Sequence, residues 1–452
     1  MITGKDLIEK GYKPGKWFQK AIDAANKAPD NVNIWNVVED MKPKDIPQIP
    51  LRSKGTVPFH INIRAENKYE QANIDKCIET MEALMRTPTI KSGAIMPDTC
   101  PAGSTGTIPV GGIVVSTDIH PGMHSADICC SMFYTNYGDT DPKKLLDAVH
   151  DVTHFGPGGR DDIVDTDENL LQAFKGNKFL KKYIQQARQH FATQGDGNHF
   201  AYVGKLKSTS DTVLVTHHGS RAPGAKLYKE GMKIAESYRV KISPETLKQN
   251  AWIPADTEDG KEYWNALQII REWTKANHTA IHDMAAEKIG AKYIDRFWNE
   301  HNFVFKKSDE LFYHAKGATP AFEGWADDAT DLTIIPLNMA EPILIVRGNN
   351  ADNGLGFSPH GAGRNYSRTA HKRMLGDKTE QDAFLEETNG IDARFYMGIP
   401  DASELPSAYK NAKAVKAQIS EYGLAEIVDE VMPYGCIMAG DWEKEAPWRK
   451  KK

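Results

Sequence analysis

The sequence predicts an α+β protein: a single large layered domain of mixed α and β structure. Helix-like and strand-like segments are interspersed without the regular strand–helix alternation of a doubly wound sheet or a barrel. The chain has 452 residues, of which 40% are hydrophobic and 26% charged, a composition typical of a globular protein that buries a large core. Its middle contains no linker rich in Pro, Gly and Ser.

The first half of the chain alternates helical and extended patterns behind a polar leader. Residues 1–55 are rich in Lys and Pro, and we expect a leader packed on the surface of a domain that spans 56–452. A helix is predicted where Ile74, Ile78 and Met81 recur at helical spacing, and strands where β-branched and aromatic residues cluster. In order, these elements are a helix at 67–86, strands at 105–117 and 131–137, and helices at 142–153 and 177–192.

The second half continues this irregular alternation. The run TVLVTHHGSR reads as a short buried strand that enters a loop. The predicted elements are a strand at 212–221, helices at 225–239 and 263–289, strands at 297–306, 331–337 and 341–348, and a helical finish over 380–388 and 408–431.

Charge and cysteine usage narrow the class of protein. The net charge of −5 provides no basic field for nucleic acid, so RNA or DNA contact would need local basic clusters. The five cysteines are an odd number with one adjacent pair, which suits a reducing compartment better than a disulfide framework. We see neither a signal peptide nor a membrane span, and therefore expect a cytoplasmic protein.

The stretch FSPHGAGRNYSR at 357–368 sets His360 among glycines and arginines. Glycine lets backbone N–H groups approach an anion, and the guanidinium fork matches phosphate oxygens. The composition therefore predicts a phosphate site, although on this stretch alone an ordinary turn is an equal alternative.

Further chemistry-bearing residues stand at strand ends and in glycine-rich loops. These are Asp127 and Cys130 in DICC, His199 in GNHF, His217 in THHGS and His301 in EHNF. Carboxylate, thiolate and imidazole together suit manganese, zinc or iron. Taken singly, each has an alternative: a buried cysteine, a core histidine beside an aromatic residue, or a surface turn. The helical pair His278 and His282 lacks the glutamate of the zinc-protease motif, and 98–112 is no P-loop because no Gly-Lys-Ser/Thr follows.

The order of these motifs is more specific than any one of them. They are MPD (96–98), DICCSM (127–132), GNHF (197–200), HHGSR (217–221), HNF (301–303), KGAT (316–319), HGAGRNYSR (360–368), SAYK (407–410) and PYGC (433–436). The series covers roughly 90–440 and resembles the RtcB family of RNA ligases. The resemblance implies a layered α+β domain of the RtcB type.

The resemblance also implies an activity. The family joins an RNA 3′-phosphate or 2′,3′-cyclic phosphate to a 5′-hydroxyl, using GTP and Mn²⁺, through a GMP–histidine intermediate, in RNA repair and tRNA splicing. RNA ends are the implied partners, with an activating protein in some relatives. The sequence does not distinguish broken tRNA from another RNA, and the oligomeric state is not visible in it.

Site residues carry over by position. His360 matches the nucleophile and Asp98 a group that orients it. Two metal ions would be held by Asp127, Cys130, His199, His217 and His301. Arg221, Arg364 and Arg368 would hold phosphate, with Asn198 on the nucleotide phosphates and Tyr409 stacked on the base. The nucleotide site as a whole would comprise Asn198, Phe200, Tyr202, Gly361, Ala362, Gly363, Arg364, Tyr409 and Met438.

Several positions depart from the family pattern. Tyr202 stands where the family usually has a base-contacting glutamate, and Met438 where a lysine reads guanine. Leu337, Cys129 and Ser131 replace glycines, and Cys100 stands where a histidine is common. Loss of polar base contacts is expected to relax base discrimination, so GTP is the leading expectation and ATP stays open.

Two alternatives to ligation remain open. One is a metal-dependent phosphoesterase that opens cyclic phosphates, and the other is an RNA-end-binding protein with a structural metal cluster. Candidate RNA-contacting clusters are Lys306 with Lys307, the group Arg364, Arg368, Lys372 and Arg373, and the tail 448–452, which we favour as a solvated tail.

Overall fold

The computed structural model describes residues 1–42 and 47–442, so the basic tail 448–452 lies outside the described residues. None of the helices in these two ranges is long and apolar enough to cross a membrane. The chain divides into two compact units, Met1–Ile49 and Pro50–Lys452.

The first unit is helical in the stretch expected to form a leader. Its helices are α1 (Gly4–Glu9), α2 (Trp17–Lys27) and α3 (Ile34–Met41). A small core forms because Leu7, Ala25 and Val38 are buried against partly buried aromatic residues. The Asn33 side chain accepts a hydrogen bond from the Trp35 N–H and so caps α3.

The second unit contains the remaining helices of the described chain. They are α4 (Lys68–Leu84), α5 (Pro142–Val152), α6 (Glu168–Gly176), α7 (Ile184–Gln189), α8 (Arg221–Ile242), α9 (Glu258–Ile289), α10 (Arg368–Met374), α11 (Glu380–Glu387) and α12 (Ala412–Glu421). The side chains of Asn67, Asp141 and Thr257 accept N–H groups at the starts of α4, α5 and α9. Local capping chemistry therefore fixes where these helices begin.

The strands of the second unit form two large sheets and two small ones. They are β1 (Phe59–Ile61), β2 (Ile90–Cys100), β3 (Val110–Ser116), β4 (Ser131–Asn136), β5 (His154–Phe155), β6 (Thr193–Gly195), β7 (Phe200–Leu206), β8 (Thr212–His218), β9 (Asp295–Glu300), β10 (Val304–Lys306), β11 (Phe312–Lys316), β12 (Ala318–Pro320), β13 (Leu332–Ile335), β14 (Ile343–Gly348), β15 (Phe357–Pro359), β16 (Asp392–Phe395) and β17 (Ala425–Met438).

The two large sheets give the predicted mixed α and β architecture. One has the order β1-β2-β3-β11-β10, and the other the order β13-β14-β17-β7-β8-β4-β9, with β16 added beside β17. The long helix α9 buries Ile270 and Trp273 in the same core as Phe133 of β4. Helices and strands are interspersed in sequence, and the expected α+β class is confirmed.

The helical finish predicted over 408–431 is wrong beyond Glu421. The helix α12 ends before Gly423, which has φ +63°, and the chain then enters the 14-residue strand β17. Glycine adopts this left-handed backbone without a steric cost, so it is a natural helix stop. This segment is a strand because it pairs with β7, β14 and β16, and these partners are remote in sequence.

Three smaller differences have the same tertiary cause. The helix predicted at 177–192 shrinks to a 3-10 turn and α7, and the strand predicted at 297–306 divides into β9 and β10. The strands β2, β7 and β11 were not predicted. The strand β7 pairs with β17 and β11 pairs with β3, both remote in sequence, and β2 pairs with β1 across the intervening helix α4. Such long-range pairing overrides local propensity.

Candidate metal centre and active site

The five predicted metal ligands meet where four adjacent strands of the larger sheet begin or end. Four strands are neighbours there in the order β7, β8, β4 and β9, each antiparallel to the next. The start of one antiparallel strand lies beside the end of its neighbour. Asp127 and Cys130 precede β4, His199 precedes β7, His217 lies near the end of β8, and His301 follows β9.

The donor atoms form two groups that share the Cys130 thiol. Its Sγ lies 3.1 Å from Nε2 of His217 and 3.5 Å from Nε2 of His199. In the first group, His217 Nε2 is 3.2 Å from His301 Nε2, and in the second, His199 Nε2 is 3.0 Å from Asp127 Oδ2. Within each group the donor atoms all lie within 4.8 Å of one another. Such sets suit divalent transition ions, and the shared sulfur would place two ions side by side.

The protonation states favour cation binding. The Nδ1–H of His217 donates to the Asn198 carbonyl at 3.0 Å, which leaves the Nε2 lone pair turned toward His301. Burial lowers the pKa of His217 to about 3 and that of His301 well below its ordinary value, so both rings are neutral. Neutral imidazole is the form that binds a metal ion, and the two Nε2 atoms lie 3.2 Å apart in this buried site.

Asp127 and Cys130 respond differently to burial. Burial opposes ionisation of Asp127, but its pairing with His199 outweighs this and brings its pKa down to about 2. Burial, with the Asp127 charge beside it, holds the pKa of the Cys130 thiol well above its ordinary value. A bound metal ion would deprotonate this thiol and so reverse the effect.

The turn around the ligands depends on a missing side chain. A Cβ on Gly219 would lie 1.9 Å from Oδ1 of Asp127, so only glycine leaves the carboxylate in place. Cys129 has φ 56° at a position where the resemblance predicts glycine, and it holds this conformation with its N–H donating to the Asn302 carbonyl at 2.7 Å.

His360 lies beside this centre, at the end of β15. The N–H of Gly317 donates to the His301 carbonyl at 2.8 Å, and β12, which follows directly, pairs with β15. The rings of His301 and His360 are consequently 4.7 Å apart between centroids. The predicted nucleophile therefore adjoins the predicted ligands.

The other predicted catalytic residue, Asp98, holds the His360 ring. Its Oδ2 lies 2.5 Å from Nδ1 of His360 and accepts the backbone N–H of the same residue at 3.2 Å. A carboxylate accepts at Nδ1 only when that nitrogen carries the proton, so in the neutral ring the lone pair is on Nε2. A Cβ on Gly363, which has φ +72°, would lie 2.0 Å from the Asp98 carbonyl oxygen. The glycine loop therefore permits the close approach of the His360 segment to β2.

Every residue predicted to form the nucleotide site lines one cavity. Together with His217 and His360, its wall includes Asn198, Phe200, Tyr202, Gly361, Ala362, Gly363, Arg364, Tyr409 and Met438. The sequence reasoning missed Asn302, Lys316 and Glu404 on the same wall. Lys316 lies in the KGAT motif, and burial lowers its pKa to about 8. The KGAT motif could have indicated Lys316, and the residues around SAYK could have indicated Glu404.

The part of the wall formed by β7 and β17 is apolar. Phe200 faces Met438, and Tyr202 faces Cys436, across the antiparallel pair. The Tyr202 hydroxyl lies 3.2 Å and 3.1 Å from the carbonyl oxygens of Glu341 and Val431, so its proton is directed to the backbone. Neither Tyr202 nor Met438 therefore offers a free polar group to a ligand.

A second groove begins at the metal ligands. Asp127, Asn198 and His199 border it together with the basic residues Arg221, Arg368, Lys372 and Arg373. Arg221 is fixed there because its Nη2 donates to the Gly156 carbonyl at 2.9 Å. Arg364, by contrast, lines the cavity.

Two sequence features do not belong to the candidate donor groups. Lys306 pairs with Glu310 at 2.7 Å and Lys307 donates to the Leu355 carbonyl at 2.7 Å, beside a separate surface groove. His278 and His282 are buried on α9, where both bond the Thr216 hydroxyl, at 2.7 Å and 2.8 Å. They support β8 rather than forming a ligand pair of their own.

Comparisons with known proteins agree with the motif series. Residues 139–439, more than half of the chain, match the family model described as tRNA-splicing ligase RtcB. Relatives with that name include the Archaeoglobus fulgidus protein, 28% identical over 60% of this chain and 64% of its own length. The Pyrococcus abyssi protein is 27% identical over 64% of this chain and 36% of its own length. For the Aeropyrum pernix protein the identity is 25% over 89% of this chain and 97% of its own length. The chain thus spans less than two thirds of the first two relatives.

Proposed function

This chain belongs to the RtcB family, and from that premise we propose that it is an RNA ligase dependent on GTP and Mn²⁺. It would join an RNA 3′-phosphate or 2′,3′-cyclic phosphate to a 5′-hydroxyl through a GMP–His360 intermediate, in RNA repair or tRNA splicing. One observation carries the proposal: His360, oriented by Asp98 at 2.5 Å, stands against the donor cluster through His301.

The first step uses the lone pair that Asp98 leaves on Nε2 of His360. This nitrogen attacks the α-phosphorus of GTP, the N–P bond forms, and the bond to pyrophosphate breaks. Because Asp98 keeps the proton on Nδ1, it orients the ring and stabilises the positive charge that the ring gains. Arg364 and Asn198 on the cavity wall would hold the phosphate oxygens.

The donor set fits two Mn²⁺ ions. Asp127, Cys130, His199, His217 and His301 would hold them. When bound, the ions would neutralise phosphate charge and align the attacking and leaving groups.

The second and third steps use the groove beside the cavity. An oxygen of the RNA 3′-phosphate attacks the phosphorus on His360, and the N–P bond breaks. The 5′-hydroxyl then attacks the 3′-phosphorus, and GMP leaves with the bridging oxygen. A 2′,3′-cyclic phosphate is first opened by water to the 3′-phosphate. Arg221 and Arg368, which line the groove, would hold RNA phosphates along this path.

Covalent labelling tests the proposal. With Mn²⁺ and α-³²P-GTP, the denatured protein should carry acid-labile label that disappears in His360→Ala. Asp98→Asn should reduce the labelling rate about 100-fold or more, because the amide no longer fixes the ring proton on Nδ1. The exposed His60 on β1 offers a matched control, and His60→Ala should label like the wild type.

The apolar β7–β17 part of the cavity wall, which offers no polar side chain to a base, favours one second candidate, a metal-dependent phosphoesterase. If no nucleotide labels the protein while metal binds and 2′,3′-cyclic phosphate RNA is opened to a monoester, the phosphoesterase replaces the ligase. Binding of RNA ends with neither reaction leaves an RNA-end-binding protein.

A further inference from the structure

Glu404 lies between the cavity and the groove, and it was not among the residues predicted from sequence. It ends a 3-10 turn, Ala402–Glu404, and is 1% exposed. A buried carboxylate is stable only where charged or hydrogen-bonding groups compensate it. Its partners therefore indicate what it is for.

One Glu404 oxygen faces the cavity side. Its Oε2 accepts from Nη2 of Arg364 at 2.5 Å and from the Tyr409 hydroxyl at 2.5 Å. The Arg364 guanidinium lies over the Tyr409 ring, 4.7 Å from its centroid. Glu404, Arg364 and Tyr409 all line the cavity that contains His360.

The other oxygen faces the groove side. Oε1 of Glu404 forms an ion pair with Nη1 of Arg368. A Cβ built on Gly197 would lie 3.1 Å from Nη2 of Arg368, so this guanidinium lies against the loop that carries His199. The Arg368 side chain is 47% exposed and borders the groove, whereas that of Arg364 is 17% exposed and borders the cavity.

We propose that Glu404 is a positioning residue that aims Arg364 at the nucleotide phosphates in the cavity and Arg368 at the terminal RNA phosphate in the groove. One carboxylate thereby sets the orientation of two phosphate-binding arginines, one in the cavity and one in the groove. The identity of the two ligands rests on the proposed function, whereas the shared carboxylate rests on the contacts above.

Loss of the Glu404 charge and loss of arginine orientation should change phosphate binding in opposite directions, and this makes the inference testable. Removing a carboxylate makes the site more positive and strengthens the binding of every anion. Losing the orientation of an arginine instead weakens the preference for a ligand whose phosphate it contacts. The informative quantity is therefore a ratio of affinities, and not an affinity.

Two ratios should be measured by equilibrium binding in the presence of Mn²⁺. The groove ratio compares an RNA oligonucleotide ending in 3′-phosphate with the same oligonucleotide ending in 3′-hydroxyl. The cavity ratio compares GTP with guanosine. Glu404→Gln should lower both ratios about tenfold, which corresponds to about 1.4 kcal/mol each. Arg368→Lys should lower only the groove ratio, and Arg364→Lys only the cavity ratio.

Further variants separate positioning from folding. Glu404→Asp keeps the charge but shortens the reach to the two arginines, so it should lower both ratios even if Glu404→Gln does not fold. The control Glu387→Gln changes a carboxylate that accepts from the Ser407 N–H and hydroxyl, each at 2.8 Å, and should leave both ratios unchanged.

The coupling between Glu404 and Arg368 provides the decisive outcome. In an Arg368→Lys background, Glu404→Gln should have no further effect on the groove ratio, because the two residues act as one unit. Unchanged ratios in both Glu404 variants, additive effects with the arginine changes, or a wild type without phosphate preference would overturn the inference. The labelling experiment tests the proposed ligase activity separately. Failure of either proposal can therefore be recognised without the other measurement.

Discussion

Cys130 is the residue on which both candidate metal sites depend. Its sulfur belongs to both donor groups, whereas His301 belongs to one and His199 to the other. A thiolate shared by the two groups would hold two ions close enough to act on one phosphate.

This sharing predicts a difference in metal stoichiometry. Cys130→Ala should lose both Mn²⁺ ions, while His301→Ala and His199→Ala should each retain one. Inductively coupled plasma mass spectrometry of the desalted protein measures the bound ions. Cys77→Ala removes a buried cysteine on α4 and should keep the wild-type number. A Cys130 variant that still holds two ions would refute the bridging thiol.

Tyr202 makes a second prediction at the residue scale. Its hydroxyl bonds to backbone carbonyls, and Met438, which faces Phe200 from β17, offers no hydrogen-bond donor. If the base lies against this apolar β7–β17 part of the wall, it is discriminated only weakly, so labelling rates from ATP and GTP should lie within about 100-fold of each other. A preference for GTP far above this would show that guanine is read by other groups.

The same contact predicts that Tyr202→Phe affects stability and not base choice. Loss of the buried hydroxyl should lower the free energy of unfolding by about 1 kcal/mol. The ratio of ATP to GTP labelling should stay at the wild-type value in this variant.

At the scale of elements, the site is assembled from strand ends and glycine turns. The ligands stand where antiparallel strands of one sheet begin or end, and β15 brings His360 alongside them. Strand pairing fixes the ligand backbone, while Gly363 lets the His360 loop lie against β2.

Gly363→Ala should consequently disrupt catalysis and not only stability. The new Cβ would lie 2.0 Å from the Asp98 carbonyl oxygen and would push the His360 loop away from Asp98. The control Gly376→Ala has a similar backbone, φ +60°, but no atom within 4 Å of the new Cβ. Both variants should lose about 1–2 kcal/mol of stability from backbone strain. Only Gly363→Ala should lose His360 labelling, and equal labelling in the two variants would exclude the steric effect.

At the scale of the whole molecule, the core of the larger unit holds histidines as neutral hydrogen-bonding groups. His120 contacts the Thr89 hydroxyl at 2.8 Å and the Asn250 carbonyl at 3.0 Å, and His124 contacts the Tyr263 hydroxyl at 3.1 Å. Burial lowers the pKa of His120 to about 3 and that of His124 to about 4. The folded protein therefore resists protonation at both sites.

These lowered pKa values predict acid sensitivity. Between pH 6.5 and pH 4 the unfolded chain binds protons that the folded protein excludes, so stability is full above pH 6.5 and falls as the pH falls. Urea unfolding of chelator-treated protein should show a loss of up to about 2 kcal/mol per histidine between pH 6.5 and pH 5. His120→Gln should flatten this dependence, whereas the exposed His60→Ala should not. Equal stability at both pH values would contradict the prediction.

The candidate site was more predictable from sequence than the strand topology. Taken singly, Asp127, Cys130 and His360 each have an ordinary structural alternative, but the order of their motifs along the chain indicated the chemistry. The strand β17 was misread as helix because its pairing partners lie far away in sequence. Glu404 was missed for a similar reason, since its role depends on two arginines about 40 residues earlier in the chain.

By itself, the sequence determined the α+β class, the family and the residue types that the chemistry needs. It could do so because motif order and side-chain chemistry are properties of the chain. The tertiary structure alone decided that Cys130 belongs to two donor groups, that the Tyr202 hydroxyl bonds to backbone carbonyls, and that Glu404 joins two arginines. These are distances between segments remote in sequence, and only the packing of one strand or loop against another sets them.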